Sequence, residues 1–133
     1  MAELILPAEL RSLELMTRFV RNGAEKHGIG SKDVNRIQLA AEEVLVNIIS
    51  YAYPDKNGDI QITYEIMEDK GLVMKVIDWG IPFDPLSVAE PNIEAPIEDR
   101  KIGGLGIFII RNIMDEVSYK REGCQNILTL IKH

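Results

Sequence analysis

Apolar residues recur at helical spacing from residue 9 to about 27, where Leu10, Leu13, Leu15, Met16, Phe19 and Val20 predict one helix. Gly28 and Gly30 end it, and Ser31 is the expected N-cap of a second helix over 32–52, with Asp33 in its first turn. Val34, Ile37, Ala41, Val44, Leu45 and Ile48 form the stripe of that second helix. Leu39, Val46 and Ile49 widen it, so the helix is expected to be largely buried. Ahead of both helices, Leu4, Ile5 and Leu6, stopped by Pro7, read as a short strand near a sheet edge. Alternation over 59–67 sets Ile60, Ile62, Tyr64 and Ile66 on one face, and a second strand over 72–77 follows a turn at 68–71. From 81 to 102 the pattern breaks down, and four of the six prolines fall there: Pro82, Pro85, Pro91 and Pro96. Patternless stretches longer than about 12–15 residues are uncommon in compact domains and are usually functional or disordered. A third helix over 107–114 and a hairpin of 117–120 with 127–131 complete the chain.

The order is β-α-α-β-β-loop-α-β-β. Strands joined by tight turns pair antiparallel, which excludes the alternating βαβ of a dinucleotide-binding domain. The expected fold class is an α/β sandwich of the α+β type. It has a single mixed, mostly antiparallel five-stranded sheet, with about three helices on one face and the other face left to solvent or a partner. Neither internal repeat nor linker interrupts the chain, so one domain over 1–133 is expected.

Composition narrows the function classes. With 46% hydrophobic and 27% charged residues, the chain has the mix of an ordinary globular protein rather than a disordered or collagen-like one. No apolar run approaches the roughly 18 residues of a membrane helix, and the start lacks the basic and small-residue marks of a signal peptide. A cytoplasmic location without membrane association is therefore expected. One cysteine, Cys124, cannot form an internal disulfide, and two histidines argue against a Cys/His zinc site. A net charge of −6 disfavours nucleic acid as a partner, since phosphate neutralisation needs clustered Lys and Arg.

Three groups of residues carry candidate chemistry. Glu43 and Asn47 lie one helical turn apart on the second helix, on the side away from its stripe. They are either a solvent-exposed pair or, on a mostly buried helix, a carboxylate and a carboxamide that need a metal ion and phosphates as partners. Asp78 ends the strand 72–77 on the Leu72, Met74 and Val76 face, where an acid needs hydrogen-bond donors. It either caps the turn or accepts from an exocyclic amine such as that of adenine, with Gly80 letting the backbone come close. Gly103, Gly104, Leu105 and Gly106 precede the third helix, with Arg100 and Lys101 nearby. Such a cluster is a hinge or an anion-binding helix end, and it matches neither the Walker A nor the dinucleotide fingerprint.

Taken in this order, Glu43…Asn47, Asp78-x-Gly80, a Pro-rich loop and Gly-Gly-x-Gly resemble the Bergerat ATP-binding fold. Gyrase B, the heat-shock chaperone ATPases, histidine kinases and MutL share that fold, and these motifs resemble its N box and two glycine boxes. Residues 78–85 (Asp-Trp-Gly-Ile-Pro-Phe-Asp-Pro), Gly103 to Ile107, Met114-Asp115, Tyr51-Ala52-Tyr53 and residues 126–130 look most like the anti-sigma-factor serine/threonine kinases. The resemblance implies ATP and Mg²⁺ as cofactors, Glu43 as general base, and Asn47 as ligand of both Mg²⁺ and the phosphates. It implies that Asp78 accepts from the adenine amine, and that Gly80 and Phe83 shape the nucleotide pocket. Arg100, Lys101, Gly103, Gly104, Leu105 and Gly106 would then lie at the phosphates, with 85–102 as a lid. Asn126 and Asp84 are expected in turns and packing. A sigma factor and a STAS-type anti-anti-sigma protein are the implied partners, and a homodimer the implied assembly. Tyr51 stands where such kinases often carry His, which leaves open a catalytically weak, ATP-binding protein-interaction switch.

Overall fold

The computed structural model describes residues 2–55, 57–68, 71–84 and 104–133. The elements are β1 (Ala2–Pro7), α1 (Leu13–Lys26), α2 (Ser31–Tyr51), β2 (Asp59–Met67), β3 (Gly71–Asp78), α3 (Gly104–Ile113), β4 (Glu116–Glu122) and β5 (Gln125–Lys132). One open sheet orders the strands β1-β2-β3-β5-β4. The hairpin turns make β2–β3 and β4–β5 antiparallel, and the pairings β1–β2 and β3–β5 are antiparallel as well. The sheet is thus antiparallel throughout rather than mixed. The crossover through α3 delivers β4 to the edge, and β5 returns inside against β3. That return fixes the register that matters for the site, with Asp78 opposite Asn126.

Period-two alternation sends Leu4, Leu6, Ile60, Ile62, Met74, Val76, Leu128 and Leu130 to the helix-covered face. There they meet Met16 and Val20 of α1, Ile37, Ala41, Val44, Leu45 and Ile48 of α2, and Ile107 and Ile110 of α3. The helix α2 packs between α1 and α3, which explains why its apolar stripe is so wide. Ile37 and Leu45 are fully buried, each worth about 1.5–3 kcal/mol relative to exposure. The opposite sheet face carries Gln61, Thr63, Lys75, Ile77, Ile127, Thr129 and Ile131 across the paired strands.

Helix starts differ from the sequence pattern in three places. The expected first helix opens with a 3₁₀ turn over Leu10–Ser12, closed by the Ser12 N–H donating to the Glu9 carbonyl at 2.9 Å, and becomes α-helical only at Leu13. Gly30, not Ser31, is the N-cap of α2, so Ser31 is its first helical residue and no side-chain oxygen caps it. The third helix begins at Gly104, three residues earlier than its apolar spacing indicates, which takes two glycines of the cluster into the first turn.

Candidate active site

Asp78, the last residue of β3, is 4% exposed and faces the helices. Its Oδ1 accepts from the Gly80 N–H at 2.9 Å and from Asn126 Nδ2 at 2.8 Å. Among the described residues, nothing donates to Oδ2. Burial raises the Asp78 carboxyl above its usual range, and the Asn126 and Gly80 hydrogen bonds and the Arg121 charge pull it back. A buried carboxylate with one satisfied and one open oxygen is a ready acceptor for an N–H donor.

Asn126 is the hub around this acid. Its Nδ2 also donates to the Ile81 carbonyl at 2.8 Å. Its Oδ1 accepts from the Tyr119 hydroxyl at 2.6 Å and from Arg121 Nη1 at 3.3 Å. Arg121 Nη1 further donates to the Gly80 carbonyl at 2.8 Å, so the β4–β5 hairpin grips the turn after Asp78 from outside. The end of α2 holds the same turn from the other side. The Trp79 N–H donates to the Tyr53 hydroxyl at 2.7 Å, and that hydroxyl donates to the Asp59 carbonyl at 2.6 Å. The Ile81 N–H donates to the Ala52 carbonyl at 2.9 Å. A Cβ on Gly80 would collide with that carbonyl, so this close approach requires glycine.

A cleft beside Asp78 is walled by Val44, Ile48, Val76, Ile107, Ile110 and Leu128. Asn47, Phe83, Tyr119 and Asn126 bring polar and aromatic groups to it. An apolar slot with a few convergent polar groups is the ordinary form of a small-molecule site. Phe83, expected at the pocket from the resemblance, lines it, and its ring lies 6.0 Å from that of Tyr51.

Glu43 and Asn47 are half-buried, which overturns the reading of a solvent-exposed pair. Asn47 faces the cleft that holds Asp78, and its amide has no hydrogen-bond partner among the described residues. Glu43, one turn earlier on α2, reaches the first turn of α3 at Gly106. Burial, and secondarily the Glu42 charge, pushes the Glu43 carboxyl up. Among the described residues no donor reaches that carboxylate, which leaves it free to accept a proton. Gly104 and Leu105 open α3, while Arg100, Lys101, Gly103 and the expected lid lie outside the described residues. No group of three or more His, Cys, Asp and Glu residues able to hold a metal occurs among the described residues. The carboxamide oxygen of Asn47 still fits Mg²⁺ arriving with nucleotide phosphates, because Mg²⁺ commonly takes few protein ligands and several phosphate and water oxygens.

Tyr53, Tyr119 and Arg121 are site residues that sequence reasoning missed, and Asn126 is expected from the sequence only in turns and packing. Extending the alternation of β4 puts Val117, Tyr119 and Arg121 on one face, the only signal that pointed to the hairpin. No pattern indicated that this face meets Asp78.

Residues 6–132 match the histidine kinase-like ATPase domain. The chain belongs to that family. Within it, the chain is 26% identical over 130 residues to the serine-protein kinase RsbW of Bacillus cereus, covering 95% of this chain and 81% of that relative. It is 30% identical over 124 residues to the RsbW of Halalkalibacterium halodurans, covering 90% and 75%. The expected serine/threonine kinase family is borne out, and the chain is a protein kinase of this family that uses ATP. The fold is similar to that of a Mycobacterium tuberculosis protein with RsbU and RsbW domains, at a TM-score of 0.64 and 14% identity, over 100% of this chain and 32% of that one. It is also similar to the histidine kinase domain of a blue-light activated kinase from Erythrobacter litoralis, at 0.59 and 22%, over 92% and 63%. No helix among the described residues is long and apolar enough to cross a membrane.

Proposed function

We propose that this chain, as a single domain over 1–133, is an anti-sigma factor that binds a sigma factor and phosphorylates a serine or threonine of a STAS-type antagonist. The observation that carries the reading is Asp78. It is a buried carboxylate with one open oxygen, lining an apolar cleft that also receives Asn47, with Glu43 one turn earlier on the same helix. Adenine fits that arrangement, its ring among the apolar side chains and its exocyclic amine donating to Oδ2.

The α2 helix then runs from the base site toward the phosphates. Asn47 would hold Mg²⁺ together with phosphate oxygens, and the metal when bound would supply charge neutralisation on the phosphoryl group. The first turn of α3 presents the backbone N–H groups of Gly104, Leu105 and Gly106, which at a helix start have no partner within the helix and suit a phosphate. Arg100, Lys101 and Gly103 precede it in the chain. Glu43 takes the proton from the protein hydroxyl as its oxygen attacks the γ-phosphorus. The bond from that phosphorus to the bridging oxygen breaks, and ADP leaves with the electron pair. A raised carboxyl suits this role better than an ordinary one, because its conjugate base is stronger.

The uncovered sheet face, with Ile77, Ile127 and Ile131, and the edge strand β1 support a homodimer. The cytoplasm, where sigma factors act, is the matching location. The second reading, a switch with little catalysis, is favoured by Tyr51, whose ring packs toward Phe83 where such kinases often carry His. Incubation with γ-labelled ATP and a STAS-type protein decides between them. The kinase transfers label to a serine or threonine, and the switch changes partner affinity between ADP and ATP without transfer.

A further inference from the structure

The first turn of α3 touches the carboxylate of Glu43 where a side chain would ordinarily stand. Gly106 is buried, and a Cβ placed on it would lie 2.8 Å from Glu43 Oε2, closer than real Cβ contacts come. The same Cβ would lie 3.7 Å from Cδ and 3.8 Å from Cβ of Glu43, both ordinary van der Waals distances. The crowding therefore falls on the carboxylate end alone.

Backbone conformation does not explain the glycine. Gly106 is inside α3 and is not among the left-handed glycines, which among the described residues are Gly28, Gly71 and Gly123. Alanine would satisfy its helical geometry and is the better helix former. Phosphate binding does not explain it either, since alanine presents the same backbone N–H. What alanine removes is the space. Glu43 needs that space because, among the described residues, no donor holds its carboxylate. Its Oε2 faces the bare Cα of Gly106 on α3, so an added methyl would displace the carboxylate end of this flexible side chain rather than the helices.

We infer that Gly106 is a positioning residue for Glu43, its missing side chain leaving the room in which the carboxylate stands. The first turn of α3 thereby sets where the base of phosphoryl transfer is held. The inference rests on the kinase reading above for the role of Glu43, but the contact itself is independent of that role.

Gly106→Ala in the full chain tests it with two readouts. Carbon-13 detection of the Glu43 carboxyl through a pH titration reports its surroundings without any turnover. A displaced carboxylate gains water, so its titration moves down toward that of an ordinary glutamate. In phosphoryl transfer, the KM for ATP stays within about twofold because the N–H persists, while kcat falls by about tenfold to a hundredfold, as misplaced groups do. The melting temperature does not fall. An unchanged Glu43 titration in a folded Gly106→Ala protein overturns the inference. A shifted titration in a protein whose wild type transfers no phosphate upholds the positioning and removes the kinase reading instead. Should Gly106→Ala not fold, the added Glu43→Ala vacates the crowded space. Recovery of the fold in that double variant supports the contact, and failure to recover overturns it.

Discussion

Asn126 on β5 stands opposite Asp78 on β3 and donates to its Oδ1 at 2.8 Å, both side chains being 4% exposed. The amide cannot turn over without loss, because Tyr119 and Arg121 donate to its oxygen while its nitrogen serves Asp78 and Ile81. Asn126→Ala removes one of the two donors to Asp78 Oδ1 and leaves the Tyr119 hydroxyl without its acceptor. It should cost about 1–3 kcal/mol of stability and weaken ATP binding along with it. Urea unfolding and calorimetry check both, and a variant with wild-type affinity for ATP would detach Asn126 from the site.

Asp78→Asn should separate recognition from stability. The amide can still accept from Gly80 and Asn126, but it offers the adenine amine a poorer partner, so affinity falls by about 1–3 kcal/mol. The pH dependence carries a definite sign. The folded carboxyl of Asp78 lies above its unfolded value, because burial penalises the charge. Its stabilising contribution is thus present below the ordinary carboxylate range and is lost as pH rises through the raised value. Melting temperatures from acid to neutral pH should fall in the wild type relative to Asp78→Asn. A constant difference between the two would refute the raised carboxyl.

Glu43→Gln keeps the size of the side chain and removes its basicity. Phosphoryl transfer should drop by about 10²-fold or more while nucleotide binding survives. The wild-type rate should fall on the acid side with a midpoint above that of an ordinary glutamate, since burial and Glu42 hold its carboxyl up. Near wild-type transfer by the Gln variant would take Glu43 out of the base role.

Asn47→Ala should act through the metal. ATP binding measured with and without Mg²⁺ should differ in the wild type and differ much less in the variant. An unchanged Mg²⁺ effect would place the ion elsewhere.

The uncovered sheet face should carry self-association. Ile127→Lys puts a charge between Ile77 and Lys120 of the neighbouring strands. A wild type that scatters as a dimer at micromolar concentration should become a monomer in this variant. A wild type that is monomeric at high micromolar concentration would end the dimer proposal.

Much of this architecture was legible along the chain. Period-two alternation placed Leu72, Met74 and Val76 on one face, and by extension placed Asp78 in the core, where it is buried. Helical spacing picked out Val34, Ile37, Ala41, Val44, Leu45 and Ile48, all of them buried. These patterns are local: a side chain's face follows from its position within its own element. The Tyr53 clasp on Trp79, the Asn126 hub and the Gly106 space for Glu43 were beyond reach, because each joins residues from different elements. Asp78 and Asn126 are brought together by β5 entering the sheet beside β3, and Glu43 and Gly106 by α3 packing on α2. Local periodicity decides which residues face inward. Only the packing of whole elements against one another decides which of those inward residues meet, because the free energy that selects one sheet order and one helix contact is a property of the assembled core.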